Sequence, residues 1–261
     1  MNSLSLTMRD SSTMLRRNLL HARRYPSLTL NLLLTPVMLL LLFVYIFGDT
    51  MSAGIGGGNR SDYIAYLLPG ILLMTIGSTT IGTAVSVSTD MTEGIIARFR
   101  TMAIHRQSVL IGHVAGSVLQ CVMSVVLVGA VGVAIGFRST DATAMEWLAA
   151  FGLLVLFALA LTWIAVGMGL VSPNAEAAGN NAMPLIFLPL ISSAFVPVDA
   201  MPGWFRPIAE YQPFTPAIET LRGLLLGTGI GNNGWIAVAW CLGLTALGYR
   251  WSKARFDRDA T

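Results

Sequence analysis

The stretch LTLNLLLTPVMLLLLFVYIF, residues 28–47, decides the class of this protein. It contains no charged residue and has the length, about 20 residues, that an α-helix needs to cross a bilayer. Five further runs of the same character occupy residues 63–87, 109–137, 147–171, 183–197 and 235–249. The remaining sequence agrees: of 261 residues, 54% are hydrophobic and 11% charged, where globular chains carry about 25% charge. Mean hydropathy is +0.69. Such a chain excludes disorder. A disulfide-stapled secreted module is excluded too, because Cys121 and Cys241 each sit inside an apolar run and read as small buried hydrophobes. The expected fold is an all-α membrane protein with six transmembrane helices. The fifth run is short and carries Pro184, Pro189 and Pro197, which predicts a kinked helix or one supported by its neighbours.

Working outward from the first span, the basic residues set orientation. Twelve of the 16 Lys and Arg fall before span one, between spans two and three, or after span six, and Arg60, Arg138, Arg206 and Arg222 fall on the other side. The excess places both termini in the cytoplasm of a multi-pass plasma-membrane protein, and explains the net charge of +3 without nucleic acid. Residues 1–27 predict a cytoplasmic amphipathic helix on the inner leaflet, with Met8, Leu15, Leu19 and Ala22 on one stripe and Arg9, Arg16 and Arg23 on another. A solvated basic tail that merely fixes topology is the alternative. More than twenty residues precede the apolar core of span one, so it reads as a retained span rather than a signal peptide. Residues 28–250 form the transmembrane domain and 251–261 a cytoplasmic tail.

What the spans omit constrains mechanism. Their central parts hold no Asp, Glu, Lys or Arg, and His113 is the only imidazole in them. Transporters driven by ion gradients keep intramembrane carboxylates or histidines for that work, so a secondary transporter is disfavoured, and His113 reads first as a hydrogen-bonded interfacial residue. No G-x-x-x-x-G-K-[ST] loop exists to cradle phosphates. Nor is there a metal-ligand cluster or a nucleophile elbow. The chain reads as a non-enzyme that binds no cofactor, and any driving energy comes from another polypeptide.

Two polar segments stand out. The first runs from Asp90 through Glu93, Gly94, Arg98, Phe99 and Arg100 to Arg106 on the cytoplasmic side. Written as a helix, it puts Ile95, Phe99 and Met102 on one apolar edge, which can lie on the membrane or enter a partner's groove; a plain positive-inside loop is the alternative. The second, residues 192–227, holds five of the 11 prolines and is rich in Trp, Phe, Met and Leu. A continuous helix is excluded there, and short helices dipping back into the outer leaflet fit.

Together these segments resemble the permease subunit of type-2 ABC exporters, in particular the daunorubicin/doxorubicin-resistance permeases of antibiotic-producing actinobacteria. Asp90-x-x-x-Gly94-Ile-Ile-x-Arg98-Phe99-Arg100 looks like the family's coupling helix. Ser-Ser-Ala-Phe-Val-Pro197 through Met201-Pro202-Gly203-Trp204 to Glu219-Thr-Leu-Arg222-Gly223 looks like its outer re-entrant half-helices. Where the family commonly has an acidic residue before Arg-Phe-Arg and a proline after it, this chain has Ala97 and Ala103. The resemblance implies outward export, two copies of a separate ATP-binding subunit holding ATP and Mg, and a second permease chain, expected as a homodimer among membrane lipids. It assigns coupling to Asp90, Glu93, Gly94, Arg98, Phe99 and Arg100, and the outer segment to Pro202, Trp204, Glu219 and Arg222. Thr75, Thr79, Thr83 and Ser86 form a weakly polar face on span two, and Ser192 and Ser193 add hydroxyls near the end of span five. These six line a substrate path or hydrogen-bond helices together. Gly112-x-x-x-Gly116 and Gly132-x-x-x-Gly136 read as close helix contacts. With no charged pocket, the cargo should be apolar or amphiphilic: a drug or antibiotic, which would make this a multidrug-efflux and antibiotic-resistance protein, or alternatively a lipid or lipid-linked glycan.

Overall fold

The computed structural model describes residues 26–46, 48, 60–92, 106–139 and 141–258. Helices α1 (Pro26–Tyr45), α2 (Arg60–Thr92), α3 (Arg106–Ile135) and α4 (Ala144–Val171) come first. Then follow α5 (Ala175–Ala182), α6 (Pro184–Leu190), a 3₁₀ turn (Val198–Ala200), α7 (Arg206–Tyr211), α8 (Phe214–Leu226) and α9 (Asn233–Arg258). Among the described residues there is no strand, and three helical stretches are long and apolar enough to cross a membrane: Ser61–Thr92, Leu110–Ile135 and Ala144–Val171. Residues 1–25 of the predicted amphipathic helix (1–27), and Glu93, Gly94, Arg98, Phe99 and Arg100 of the coupling segment, lie outside the described residues, while residues 26–27 open α1.

Helix α2 is the spine. It packs on α1, α3, α4, α5, α6 and α8, and 89% of its apolar stretch is buried within the chain, against 28% for α3. Lipid tails are as apolar as leucine, so this burial is held by close packing rather than by exclusion of water. Small residues make it possible. At Gly77 an added Cβ would run into the Leu185 carbonyl of α6, and at Gly70 it would meet Ala194. On the far side of α4 lies α9, with Trp163 stacked edge-on against Tyr249 at 5.1 Å. Phe157 of α4 meets Phe214 of α8 in the same geometry at 4.9 Å. Gly132 faces Leu68 as a helix contact should, whereas Gly136, at φ +124°, ends the turn after α3.

Three boundaries differ from the sequence reading. Residues 172–182, expected as a loop, contain α5: its alanines favour helix, and the Asn174 side chain caps it by accepting from the Ala177 amide at 2.8 Å. Met183 is itself helical and Pro184 supplies no amide, so α5 and α6 follow one another with only the hydrogen-bond ladder interrupted. The predicted fifth span, 183–197, is therefore a seven-residue helix and a turn seated against α2. The predicted tail is helical through Arg258. Ser252 is buried there and donates to the Trp163 carbonyl at 3.2 Å, and Phe256 is buried. Lys253 and Arg255 suit the negative end of the helix dipole.

The glycine contacts give a paired prediction. Gly77→Ala should lower the thermal midpoint of the detergent-solubilised protein by several degrees, because backbone must move. Gly152→Ala, where an added Cβ meets nothing within 4 Å, should leave it unchanged or raise it, since alanine is preferred in a helix by about 0.5–1 kcal/mol. Equal losses at both positions would show that α2 and α6 are not in close contact.

Candidate functional site

Residues 191–227 fold over the end of α2 and converge on Arg222. This arginine lies on α8 beside Leu221, Leu224 and Leu225, all buried, so its guanidinium has to find acceptors within the protein. It finds them from three elements. Nη1 donates to Glu219 one turn back at 2.5 Å, Nε and Nη2 to the Tyr66 carbonyl of α2 at 3.3 and 3.1 Å, and Nη2 to the Ser193 carbonyl at 3.0 Å. The guanidinium also sits over the Tyr66 ring, 3.9 Å from its centroid, a cation–π contact. The Tyr66 hydroxyl donates to the same Ser193 carbonyl at 3.0 Å. The Tyr66 carbonyl lies next to a weak place in the α2 ladder: Pro69 has no amide for the Ala65 carbonyl.

A second layer holds the Ser193 turn. Its amide donates to Thr215 Oγ1 at 3.3 Å, and that hydroxyl donates on to the Ala209 carbonyl of α7. Ser192 Oγ donates to the Pro189 carbonyl, and Gln212 Nε2 to the Leu188 carbonyl at 3.1 Å. Both serines are buried, and Ser193 Oγ has no protein partner. The end of α8 is fixed to the connection before α4: Gly227 takes φ +69°, a Cβ there would strike the backbone at Asp141 and Ala142, and Ser139 Oγ donates to the Leu225 carbonyl at 2.8 Å. Residues 191–227 are thus tied to α2 by the Arg222 guanidinium and the Tyr66 hydroxyl, with the strongest bonds where charge assists them.

The structure brings together Ser193, Glu219 and Arg222 of the predicted site residues and adds Tyr66 and Thr215. Pro202 and Trp204 stand apart on an exposed lip, where Arg206 pairs with Asp199 and Trp204 packs edge-on against Phe205. On α2, Thr75, Thr79 and Thr83 are buried. Thr75 bonds back to the Ile71 carbonyl, Thr79 to the Thr75 carbonyl, and Thr83 to Ser117 of α3 at 2.8 Å, while Ser86 is exposed. At the other end of α2, Asp90 is buried against His113 of α3. Among the described residues no group of three or more His, Cys, Asp or Glu could hold a metal ion. A shallow apolar recess with a cavity volume of about 10 Å³, lined by Ile76, Cys121, Phe151 and Leu154, lies between α2, α3 and α4.

Comparison with known proteins places this architecture. The family described as ABC-2 type transporter matches residues 10–226. The chain is 29% identical over 220 residues to the daunorubicin resistance ABC transporter permease protein DrrB1 of Streptomyces coeruleorubidus, covering 83% of this chain and 75% of that one. It is 22% identical over 190 residues to a Mycobacterium tuberculosis protein named "Probable doxorubicin resistance ABC transporter permease protein DrrC", covering 68% of each.

Proposed function

The chain belongs to the ABC-2 type transporter family, and from that premise we propose that it is the permease of an ATP-driven exporter that moves an apolar or amphiphilic, drug-like compound out of the cell. The observation that carries the proposal is the family match, which spans residues 10–226, to the end of α8, and takes in the first polar segment and the second as far as residue 226. The names of the two relatives support drug-like cargo. The membrane-embedded chain supplies the route, and a separate subunit, in two copies, hydrolyses ATP through its own nucleotide and Mg site.

The recess between α2, α3 and α4, about 10 Å³ in cavity volume, is far smaller than the roughly 300–1,000 Å³ of a drug-sized site. This supports a route shared between two permease chains, as a homodimer, rather than a pore within one. Ser86, exposed on α2, is the hydroxyl best placed to meet cargo. Thr75, Thr79, Thr83, Ser192 and Ser193, all buried, shape the wall behind it. Pro202 and Trp204 form the outer lip, with Glu219 and Arg222 as the bolt beneath it. The arginine distribution supports cytoplasmic termini in the plasma membrane.

The test is energetic. The purified chain alone should hydrolyse no ATP, and daunorubicin should stimulate hydrolysis once the ATPase subunit is added. Transport into inverted vesicles should continue when the proton gradient is collapsed and ATP maintained. Transport lost with the gradient would give first place to a secondary transporter, for which the Asp90–His113 pair would be the candidate relay.

A further inference from the structure

The Asp90 carboxylate occupies a costly position. It sits in the last turn of α2, which ends at Thr92, and its residue is 6% exposed. A negative charge at a helix C-terminus opposes the dipole, and a carboxylate removed from water requires a donor. His113 supplies one. Its Nε2 stands 3.0 Å from Asp90 Oδ2, and it too is 6% exposed. A residue this buried has little surface to offer another protein, so the part of Asp90 in coupling has to be internal.

The surroundings say what that part is. Val87, one turn before Asp90, and Leu110 and Val114, on either side of His113, belong to a second apolar cluster separate from the main core. Trp163, Val166 and Leu170 of α4 and Phe256 of α9 complete it. The pair therefore joins the last turn of α2 to the early part of α3, against a wall built by α4 and α9. The only covalent link between α2 and α3 is the segment assigned to the ATPase contact. A load on that segment would splay two unpaired helix ends, but would shift two paired ends together.

We propose that His113 is a positioning residue for energy coupling: with Asp90 it forms a buried clamp that makes the bases of α2 and α3 one body, so that a displacement of residues 93–105 is delivered to α2. Because α2 carries Tyr66, and through it the Arg222 bolt, the same body reaches the outer segment. This inference rests on the ATP-driven reading above.

The experiment uses the full complex with its ATPase in nanodiscs, with Cys121 and Cys241 replaced and a reporter cysteine at Glu210, an exposed position on α7. Maleimide labelling is compared between nucleotide-free and vanadate-trapped complexes, beside the yield of bound ATPase and its basal hydrolysis. The parent complex should show a several-fold change in labelling. His113→Leu should keep bound ATPase and basal hydrolysis but lose that change. His113→Gln, which retains an N–H donor at the same reach, should restore it. His113→Leu labelling that still responds to nucleotide overturns the clamp, and so does a His113→Gln complex that assembles and hydrolyses ATP without responding. Should His113→Leu fail to insert, His113→Gln and the exchange Asp90→His with His113→Asp decide: a response in both supports the clamp, and its absence in either complex that assembles and hydrolyses ATP overturns it. A parent complex whose labelling ignores nucleotide instead sinks the ATP-driven reading itself.

Discussion

Arg222→Leu should abolish export and destabilise the fold by about 3–5 kcal/mol, the usual cost of removing one partner from a buried charged cluster. The loss is large because several groups depend on that one side chain. Without the guanidinium, Glu219 keeps a half-buried negative charge, and the Tyr66 and Ser193 carbonyls lose charge-assisted donors. Neighbouring substitutions should grade the effect. Tyr66→Phe removes one hydroxyl bond to Ser193 and leaves the ring beneath the cation, which predicts a loss of about 1 kcal/mol. Arg222→Lys retains charge but not the fork that reaches three acceptors, and should fall between. The measurements are thermal unfolding of the solubilised protein and transport in vesicles. Were Arg222→Leu no worse than Tyr66→Phe on both scales, the outer segment would not be held by this cation.

Half of that arrangement is legible in the sequence. An arginine flanked by Leu221, Leu224 and Leu225 announces a need for partners, and Glu219 at i−3 is a visible one. Two other acceptors are main-chain carbonyls, a group every residue carries, so no pattern of side chains points to Tyr66 or Ser193. The nearest signal was Pro69, which marks where the α2 ladder is short of a donor. Asp90 and His113 were each visible for the same reason as Arg222, as polar residues at the margin of apolar runs. Their pairing was not, because it depends on the relative rotation of two helices whose connection has no fixed geometry in sequence.

Element length shows the same division. Apolar length alone gives α2, α3 and α4, because a bilayer imposes it. It could not give α5, where AEAAGNNA has no apolar residue larger than alanine and the helix is started by an asparagine cap. Nor could it give the end of α9, where charged residues interrupt the apolar run after Tyr249 yet one face carries Ser252 and Phe256 into the protein. The threonines of α2 were read as a polar face with two uses. Thr83 hydrogen-bonds α2 to Ser117 of α3, whereas Thr75 and Thr79 bond back to carbonyls within α2.

Phe99→Ala should release the ATPase from the membrane subunit. Phe99 lies outside the described residues, but the chain on either side is placed: α2 ends at Thr92 and α3 begins at Arg106. On a helix over residues 93–102 Phe99 is the largest side chain on the apolar edge, and truncating an aromatic anchor buried at an interface costs about 2 kcal/mol or more. At about 1.4 kcal/mol per tenfold change, that weakens association some thirtyfold. Arg98→Ala and Arg100→Ala should cost less if they stand at a wet rim, and more if they meet buried carboxylates. A larger side chain at Gly94 should obstruct close approach. Insertion should be unaffected, since Phe99 belongs to no span, so the amount of protein in the membrane separates lost docking from lost folding. The comparison with His113→Leu is the sharper one: Phe99→Ala should lose the ATPase, whereas His113→Leu should keep it and lose only the response to nucleotide. A Phe99→Ala chain that copurifies with its ATPase at full yield and still transports would make residues 93–105 a topology signal, and the route by which ATP reaches α2 would have to be sought in another cytoplasmic segment.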